Sequence, residues 1–340
     1  MSRVLVTGAA GRIGASLVKE LLSRDYEVRG FVLPDDPKAS KLEGMDVELA
    51  YGDMRDAEAV DEAAEGAEYI VHLGYIMGRP KGMARATEFD INMPGTFNVL
   101  EAAAKRVDDI ERFVFASTNA TYDAFHAKYI PMDEYHPQEP YSFYGSEKLM
   151  GEKMLGGYER EFGLRGTIVR FGTVPGPDEM LRHLSARGIA GTLRGPGTDP
   201  TSTVYAPGVE EPWKPVEEAM EDGYDLVIPC DMNGKSWMQD LVDVRDTVQG
   251  IICAMESENA VGEAFNVTGF GVTWEEGVTY LAEKTDQEYV DIRMPNMWYW
   301  RCDNTKAKSR IGYMPQYDIE QMIDDALAFQ AGEDIGVFPA

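Results

Sequence analysis

The stretch Val4-Leu5-Val6-Thr7-Gly8-Ala9-Ala10-Gly11-Arg12-Ile13-Gly14 constrains the fold more than any other part of the chain. Arg3 to Thr7 is a short apolar run that ends in glycine, the pattern of a buried parallel strand. Beyond it Ile13, Leu17, Val18, Leu21 and Leu22 recur at helical spacing and define one buried face. Strand, glycine turn and helix in that order leave unpaired backbone N–H groups at the positive end of the helix, where phosphate is stabilised. Gly8 permits the tight turn, Gly11 lets the backbone approach a pyrophosphate, and Gly14 lets helix and strand pack closely. The spacing is Gly-x-x-Gly-x-x-Gly instead of the commoner Gly-x-Gly-x-x-Gly. In this strand–helix setting the run reads as a dinucleotide cradle.

Downstream of the cradle the chain repeats a β-α alternation. Strands are predicted at Glu27–Val32, Val47–Tyr51, Tyr69–Leu73, Arg112–Ala116 and Gly166–Phe171, with helices near Asp56–Glu65, Pro94–Lys105 and Tyr144–Phe162. Gly66 is a helix stop, and Thr273-Trp-Glu-Glu276 and Asp318-Ile-Glu-Gln321 are helix-start signals, the last helix ending near Gln330. The predicted class is α/β, a Rossmann-type doubly wound parallel sheet with a smaller C-terminal substrate-binding lobe. The nucleotide-binding part is expected to span 1–174 plus a return segment at about 236–268, and the lobe 175–235 and 269–340. Between Gly176 and Gly234 the chain leaves the compact pattern; it is rich in Gly and Pro, as in Arg194-Gly-Pro-Gly-Thr-Asp-Pro200, and a long insertion of this kind is commonly a functional lid.

Further motifs fall in order: Gly52-Asp53, His72-Leu73-Gly74, Asn92-x-x-Gly95-Thr96-x-Asn98, Ala116-Ser117-Thr118, Tyr144-x-x-x-Lys148, Arg170-Phe171-Gly172, Val242-Asp243-Val244-Arg245-Asp246 and Asp303-Asn304-Thr305-Lys306-Ala307. With the opening cradle, over nearly the whole chain, they resemble the extended short-chain dehydrogenase/reductase family, of the NAD-dependent epimerase/dehydratase type. The resemblance implies that Tyr144 is the proton donor or acceptor, with Thr118 and Lys148 completing the catalytic set. It implies a cofactor held by Gly8, Ala10, Gly11, Arg12, Ile13 and Gly14, by Asp53 and Met54 near the adenine, by Leu73 and Gly74 under the ribose, and by Asn92, Tyr144, Lys148 and Phe171. Asn92 is structural or a relay in such proteins, not reactive. Asn119, Tyr75 and Trp237 are the candidate substrate contacts, and the segment Asp303–Tyr313 resembles one that closes over the substrate cleft. Relatives dimerise through two long helices, here Pro94–Lys105 and Tyr144–Phe162.

Tyr144 and Lys148 are four residues apart and project from one helical face. A free phenol, with a pKa near ~10, is a poor base at neutral pH, and a neighbouring ammonium favours the phenolate. Lys148 is also placed to bond the nicotinamide ribose, and the Thr118 hydroxyl to hold the substrate oxygen against Tyr144.

Coenzyme choice leans to NAD over NADP. Val32 and Leu33 stand where an NAD-selecting aspartate and an NADP-selecting arginine are usual; Asp35 and Asp36 either bind ribose hydroxyls or repel a 2′-phosphate, whereas Arg12, Lys38 or Lys41 would attract one. Asn119-Ala120 replaces the Asp-Glu pair of sugar-nucleotide dehydratases, which disfavours elimination. Gly172-Thr-Val-Pro-Gly-Pro177 lacks the Asn and Tyr usual for nucleotide-diphosphate sugars, and Met238-Gln239-Asp240 offers no cation for a diphosphate, with Asp240 set to repel one. Asn119 and His72-Leu73-Gly74 are similar to the uronate dehydrogenases. Either Asn119 holds a substrate hydroxyl or it satisfies a local backbone group. Tyr205, Trp213 and Trp237 either stack on a substrate ring or pack the core, and Arg182, His183 and Arg187 either receive a carboxylate or form a solvated helix face.

A formal charge of −27 argues against nucleic acid and against anionic membrane surfaces as partners. No apolar stretch reaches the length of a membrane span and the first strand begins at once, so a cytoplasmic protein is expected. Cys230, Cys253 and Cys302, and His72, His126, His136 and His183, show no ligand spacing; reduced thiols, a packed His72 and no metal are expected. Three functions fit: a dehydrogenase or reductase of a small polyhydroxylated substrate (a sugar or sugar acid), an epimerase with retained NAD, and a non-catalytic nucleotide sensor.

Overall fold

Short runs of four to seven residues, most followed by a helix, pair side by side in parallel with helices as crossovers. In the computed structural model, which describes residues 2–77, 82–123, 127–200 and 204–340, this yields a seven-stranded sheet. Its strands are β1 (Arg3–Thr7), β2 (Glu27–Val32), β3 (Glu48–Tyr51), β4 (Tyr69–His72), β5 (Arg112–Thr118), β6 (Gly166–Phe171) and, after two strands of the lobe, β9 (Glu263–Val267). The order is β3-β2-β1-β4-β5-β6-β9, with every neighbouring pair parallel. The chain winds outward from β1 through β2 to β3, then restarts at β4 on the other side. That reversal opens a crevice at the carboxyl ends of β1 and β4, where such sheets bind ligands.

The helices are α1 (Arg12–Ser23), α2 (Ala57–Ala63), α3 (Arg85–Ala104), α4 (Phe143–Phe162), α5 (Pro177–Leu184), α6 (Ala186–Arg194), α7 (Lys214–Glu221), α8 (Val244–Glu256), α9 (Trp274–Thr285), α10 (Thr305–Ile311) and α11 (Ile319–Gln330). In the lobe, β7 (Leu226–Cys230) pairs in parallel with β11 (Tyr289–Arg293), and β8 (Met238–Asp240) runs antiparallel to β10 (Gly271–Thr273). One core cluster, including Leu17, Val114 and Phe265, lies between the sheet and α1 and α8; another, including Phe113, Val99 and Leu155, lies on the opposite face under α2, α3 and α4. A third fills the lobe.

Several expectations shift. α3 begins at Arg85, so Pro94 sits inside the helix instead of opening it. Proline removes one helical hydrogen bond there, but Glu88, Asn92 and Met93 ahead of it are already buried on the packed side, and tertiary anchoring outweighs the break. β5 runs on to Thr118 because Ser117 and Thr118 pair with Arg170 and Phe171 of β6. The segment after Gly176 contains three packed helices, α5 to α7, and Trp213 lies partly buried against the lobe core.

Trp237 and Leu241 belong to the lobe core, because β8 pairs with β10, whereas Ala307, Ile311 and Tyr313 pack into the main-sheet cluster. Asp303–Tyr313 lies beside β9, with Asn304 and Tyr313 both bonded to the Thr268 carbonyl. His126 lies outside the described residues.

Candidate active site

The cradle forms where β1 runs into α1. Gly8 adopts a left-handed φ of 68°, and a Cβ there would meet Gly74 Cα at 2.8 Å, so the turns after β1 and β4 touch backbone to backbone. A Cβ on Gly14 would lie 2.2 Å from the Gly8 carbonyl oxygen. Gly11 is the N-cap of α1, which no side chain caps, so the N–H groups of the first turn face the crevice unsatisfied by the cap residue. These features fit a dinucleotide pyrophosphate against Gly8–Gly14, with Ala10 buried behind the turn and Ile13 packed on the core.

The Thr7 hydroxyl joins His72 Nδ1 (2.8 Å) and the Gly74 amide (3.1 Å), and His72 Nε2 reaches Thr96 (3.1 Å). Burial pushes His72 down to about 3, so it is a neutral packed imidazole tying β1, β4 and α3 together. Leu73 and Gly74 form the next step of this wall. A Cβ on Gly74 or Gly95 would strike Met54, whose carbonyl accepts from Asn98 (2.8 Å), so Met54 is fixed between the turn after β4 and α3. Asp53 turns back to Arg55 (2.6 Å), which holds its carboxyl below the ordinary range.

The three cations named for a 2′-phosphate have different surroundings. Arg12 pairs with Glu179 across the crevice, and the Lys41 ammonium donates to the Pro339 carbonyl at 2.7 Å. The Lys38 backbone N–H is capped by Asp36, which starts the 3₁₀ turn Pro37–Leu42.

Thr118, Tyr144 and Lys148 come together at the carboxyl end of β5. Ser142 caps α4 through the Gly145 amide (3.0 Å), which sets Tyr144 in the first turn. Gly145 is required there: a Cβ would lie 2.2 Å from the Ala120 carbonyl oxygen, so α4 abuts the turn Asn119–Thr121. The Tyr144 hydroxyl hydrogen-bonds Thr118; burial pushes the phenol well above its ordinary value, and that bond pulls it partly back. Lys148, 3 % exposed, donates to the Ala116 carbonyl (2.7 Å) and lies 3.5 Å from the centroid of the Tyr75 ring. Burial lowers its ammonium to about 7, against the opposing pull of Glu152 and Glu147.

Asn92 bonds both backbone groups of Ile76 (2.8 and 3.2 Å) and the buried Glu147 carboxylate (2.9 Å), so it ties the segment after β4 to α4. Phe171 ends β6 within the core. Asn119, 8 % exposed, follows Thr118 directly at the edge of the site.

The remaining candidates differ in where they lie. Trp237 is 1 % exposed and gives its indole N–H to the Asn296 carbonyl, which makes it lobe core. Tyr75 directs its hydroxyl to Met93 (3.7 Å) and its ring to Lys148. Asp240 is buried and turned to the Cys302 amide, and burial pushes its carboxyl up to about 7, so it does not face a phosphate as a free surface charge. Ser185 separates α5 from α6, leaving Arg182 and Arg187 exposed while His183 turns inward to Gln239 (2.7 Å) and stacks near Trp274; the three form no cationic cluster. Gln239 in turn donates to Thr173, two residues beyond β6. Among the described residues no group of three or more His, Cys, Asp or Glu side chains is arranged to hold a metal ion, and no helix is long and apolar enough to cross a membrane.

Comparison with known proteins agrees with this geometry. The chain is 34% identical over 196 residues to an L-arabinose 1-dehydrogenase (NAD(P)(+)) of Haloferax volcanii, covering 54% of this chain and 72% of that one. It is 27% identical over 342 residues to a UDP-glucose 4-epimerase of Rhizobium leguminosarum bv. trifolii, covering 96% and 97%. A short-chain dehydrogenase/reductase superfamily protein of Agrobacterium tumefaciens, solved with bound NAD, superposes with a TM-score of 0.82 at 25% identity over 97% of this chain and 100% of that one. The sequence model of the NAD dependent epimerase/dehydratase family matches residues 4–268, and the protein is a member of that family and an enzyme of the extended short-chain dehydrogenase/reductase type.

Proposed function

We propose that the protein transfers hydride between NAD and a secondary alcohol or carbonyl of a small, unphosphorylated sugar or sugar acid. The observation that carries this reading is the Thr118–Tyr144–Lys148 set, together with a neutral chain, Thr173–Gln239–His183, that starts two residues beyond β6, the strand paired with β5. No cation of that chain grips a diphosphate, and His183 is held neutral by burial. When bound, the nicotinamide supplies the hydride acceptor or donor. Tyr144 takes the proton from the substrate hydroxyl, or returns it, at its phenolic oxygen. The Thr118 hydroxyl orients that oxygen, and the Lys148 ammonium favours the phenolate. NAD is preferred over NADP because Arg12 and Lys41 already have partners.

An epimerase with retained NAD is the second reading, favoured by the whole-chain match to a UDP-glucose 4-epimerase. Denaturing the purified protein, identifying any released nucleotide, and assaying free aldoses, uronates and UDP-sugars with NAD and NADP separates the two. Exchangeable cofactor and NAD reduction by a free sugar are expected. Stoichiometric retained NAD with UDP-sugar interconversion and no net reduction overturns the dehydrogenase. A protein that neither holds nor binds a dinucleotide overturns both.

We also propose a cytoplasmic homodimer built on α3 and α4. Phe97, Phe143 and Met150 are 48%, 36% and 38% exposed on these helices, far more apolar surface than a solvated helix pair needs. Phe97→Glu is expected to convert the dimer to a monomer by light scattering after gel filtration; a wild-type protein that is already monomeric refutes the proposal.

A further inference from the structure

Lys148 is fully enclosed, and its charge has to be held by what surrounds it. A lysine ammonium has three N–H donors. One goes to the Ala116 carbonyl at 2.7 Å, and the Tyr75 face lies 3.5 Å from Nζ, measured to the ring centroid. Tyr75 follows Gly74 at the end of β4, so the wall that lines the crevice also supplies this ring. Its own hydroxyl points the other way, to Met93, and its ring meets Tyr144 edge-on at 6.0 Å.

We propose that Tyr75 is a positioning residue for Lys148: its ring face holds the ammonium charged and in place beside Tyr144, by a cation–π attraction that needs the ring and not the hydroxyl. Attraction of this kind is strongest where the cation is desolvated, as here. The Phe115 ring of β5 also faces the ammonium but at 5.1 Å from its centroid, so Tyr75 makes the closer contact, and the charged neighbours do not replace it. Glu147 and Glu152 of α4 attract it, but Glu152 is committed to Arg170 of β6 at 2.7 Å, and Glu147 lies under the repulsion of Glu88 of α3 with one oxygen unpartnered. His72 of β4 is neutral. Without the ring the neutral amine gains, and the ammonium titrates further below its value of about 7. Lys148 then carries less charge at neutral pH, and the Tyr144 phenolate is harder to form.

The test places Phe, 3,5-difluorophenylalanine and 3,4,5-trifluorophenylalanine at position 75, together with Tyr75→Leu. Shape is nearly constant along the aromatic series while the negative face weakens. Two readouts are taken. The first is the Lys148 titration from the ¹³Cε resonance of lysine-labelled protein, assigned by its loss in Lys148→Met. The second is the pH profile of kcat for alcohol oxidation. Phe should match wild type, and the titration midpoint should fall stepwise with fluorination. Tyr75→Leu should fall by about one unit, a factor of about ten. The rising limb of kcat should move to higher pH in the same order. A flat series in both readouts overturns the proposal, as does a Phe variant that behaves like Leu. The fluorinated set decides the matter if Leu does not fold. The kinetic readout rests on the proposed hydride transfer, and the titration does not. A chain that oxidises no sugar but shows the stepwise midpoint refutes the reaction and leaves the clamp standing.

Discussion

Tyr144→Phe is expected to lower kcat for hydride transfer by roughly 10²–10⁴-fold, the contribution of a well-placed general acid or base. The substitution removes one oxygen and little else. Thr118 keeps its bond from the Ala120 amide at 3.1 Å, and Ser142 still caps α4, so neither the fold nor the turn beside the site loses support. Cofactor affinity should change far less than kcat, since the phenolic oxygen acts chiefly on the proton being moved. The pH profile sharpens the test. Burial raises the Tyr144 phenol above its ordinary value, so alcohol oxidation by wild type should accelerate as pH rises toward phenolate formation, and the variant should lose that dependence. Stopped-flow measurement of nicotinamide absorbance checks both points. A variant that retains the wild-type rate and slope assigns the proton transfer to another group.

The parallel sheet was legible from the sequence because its signals are local. β1, β2 and β6 occupy the expected residues, since a buried parallel strand is a short apolar run closed by a turn. The glycines of the cradle were legible for the same reason: each answers a constraint set by neighbours within one turn. Contacts between distant residues were not. Asn92 belongs to a helix that starts at Arg85, and only its bonds to Ile76 and Glu147 reveal why that helix runs through Pro94. Trp237 and Tyr75 were both candidate substrate contacts. One fills the lobe core and the other lies on an ammonium seventy-three positions away in sequence, a pairing that no periodicity encodes. Asp240 had the right charge to repel a phosphate but the wrong orientation, which the pairing of β8 with β10 decides.

Arg170→Met should destabilise the fold by about 3–5 kcal/mol at neutral pH, the cost of breaking a buried ion pair from one side. Arg170 and Glu152 are 5% and 2% exposed and meet through two bonds, at 2.9 and 2.7 Å. The carboxylate also accepts from Ser117, next to Thr118 on β5, and from Gln138 (2.7 Å), while Arg170 donates to Tyr122 (2.8 Å). The pair thus joins β5, β6 and α4 next to Thr118 and Lys148. Burial pushes Glu152 up, but Arg170, Ser117 and Gln138 outweigh it and hold the carboxyl below its ordinary value. In wild type this group therefore contributes stability above the unfolded carboxyl pKa of about 4.3, and the contribution is lost as pH falls through the folded value. The variant reverses the sign. With no guanidinium, burial dominates, Glu152 binds a proton in the folded state, and acid favours the fold. The difference between the two proteins should thus be largest near neutrality and shrink as pH falls toward the ordinary carboxyl range. Arg170→Met combined with Glu152→Met removes the stranded charge and should recover part of the loss, because an apolar pair of similar volume is often tolerated where half an ion pair is not. Denaturant unfolding of the three proteins across that pH range measures each step. An Arg170→Met penalty independent of pH would mean that packing around the guanidinium, and not its charge, holds α4 to the sheet.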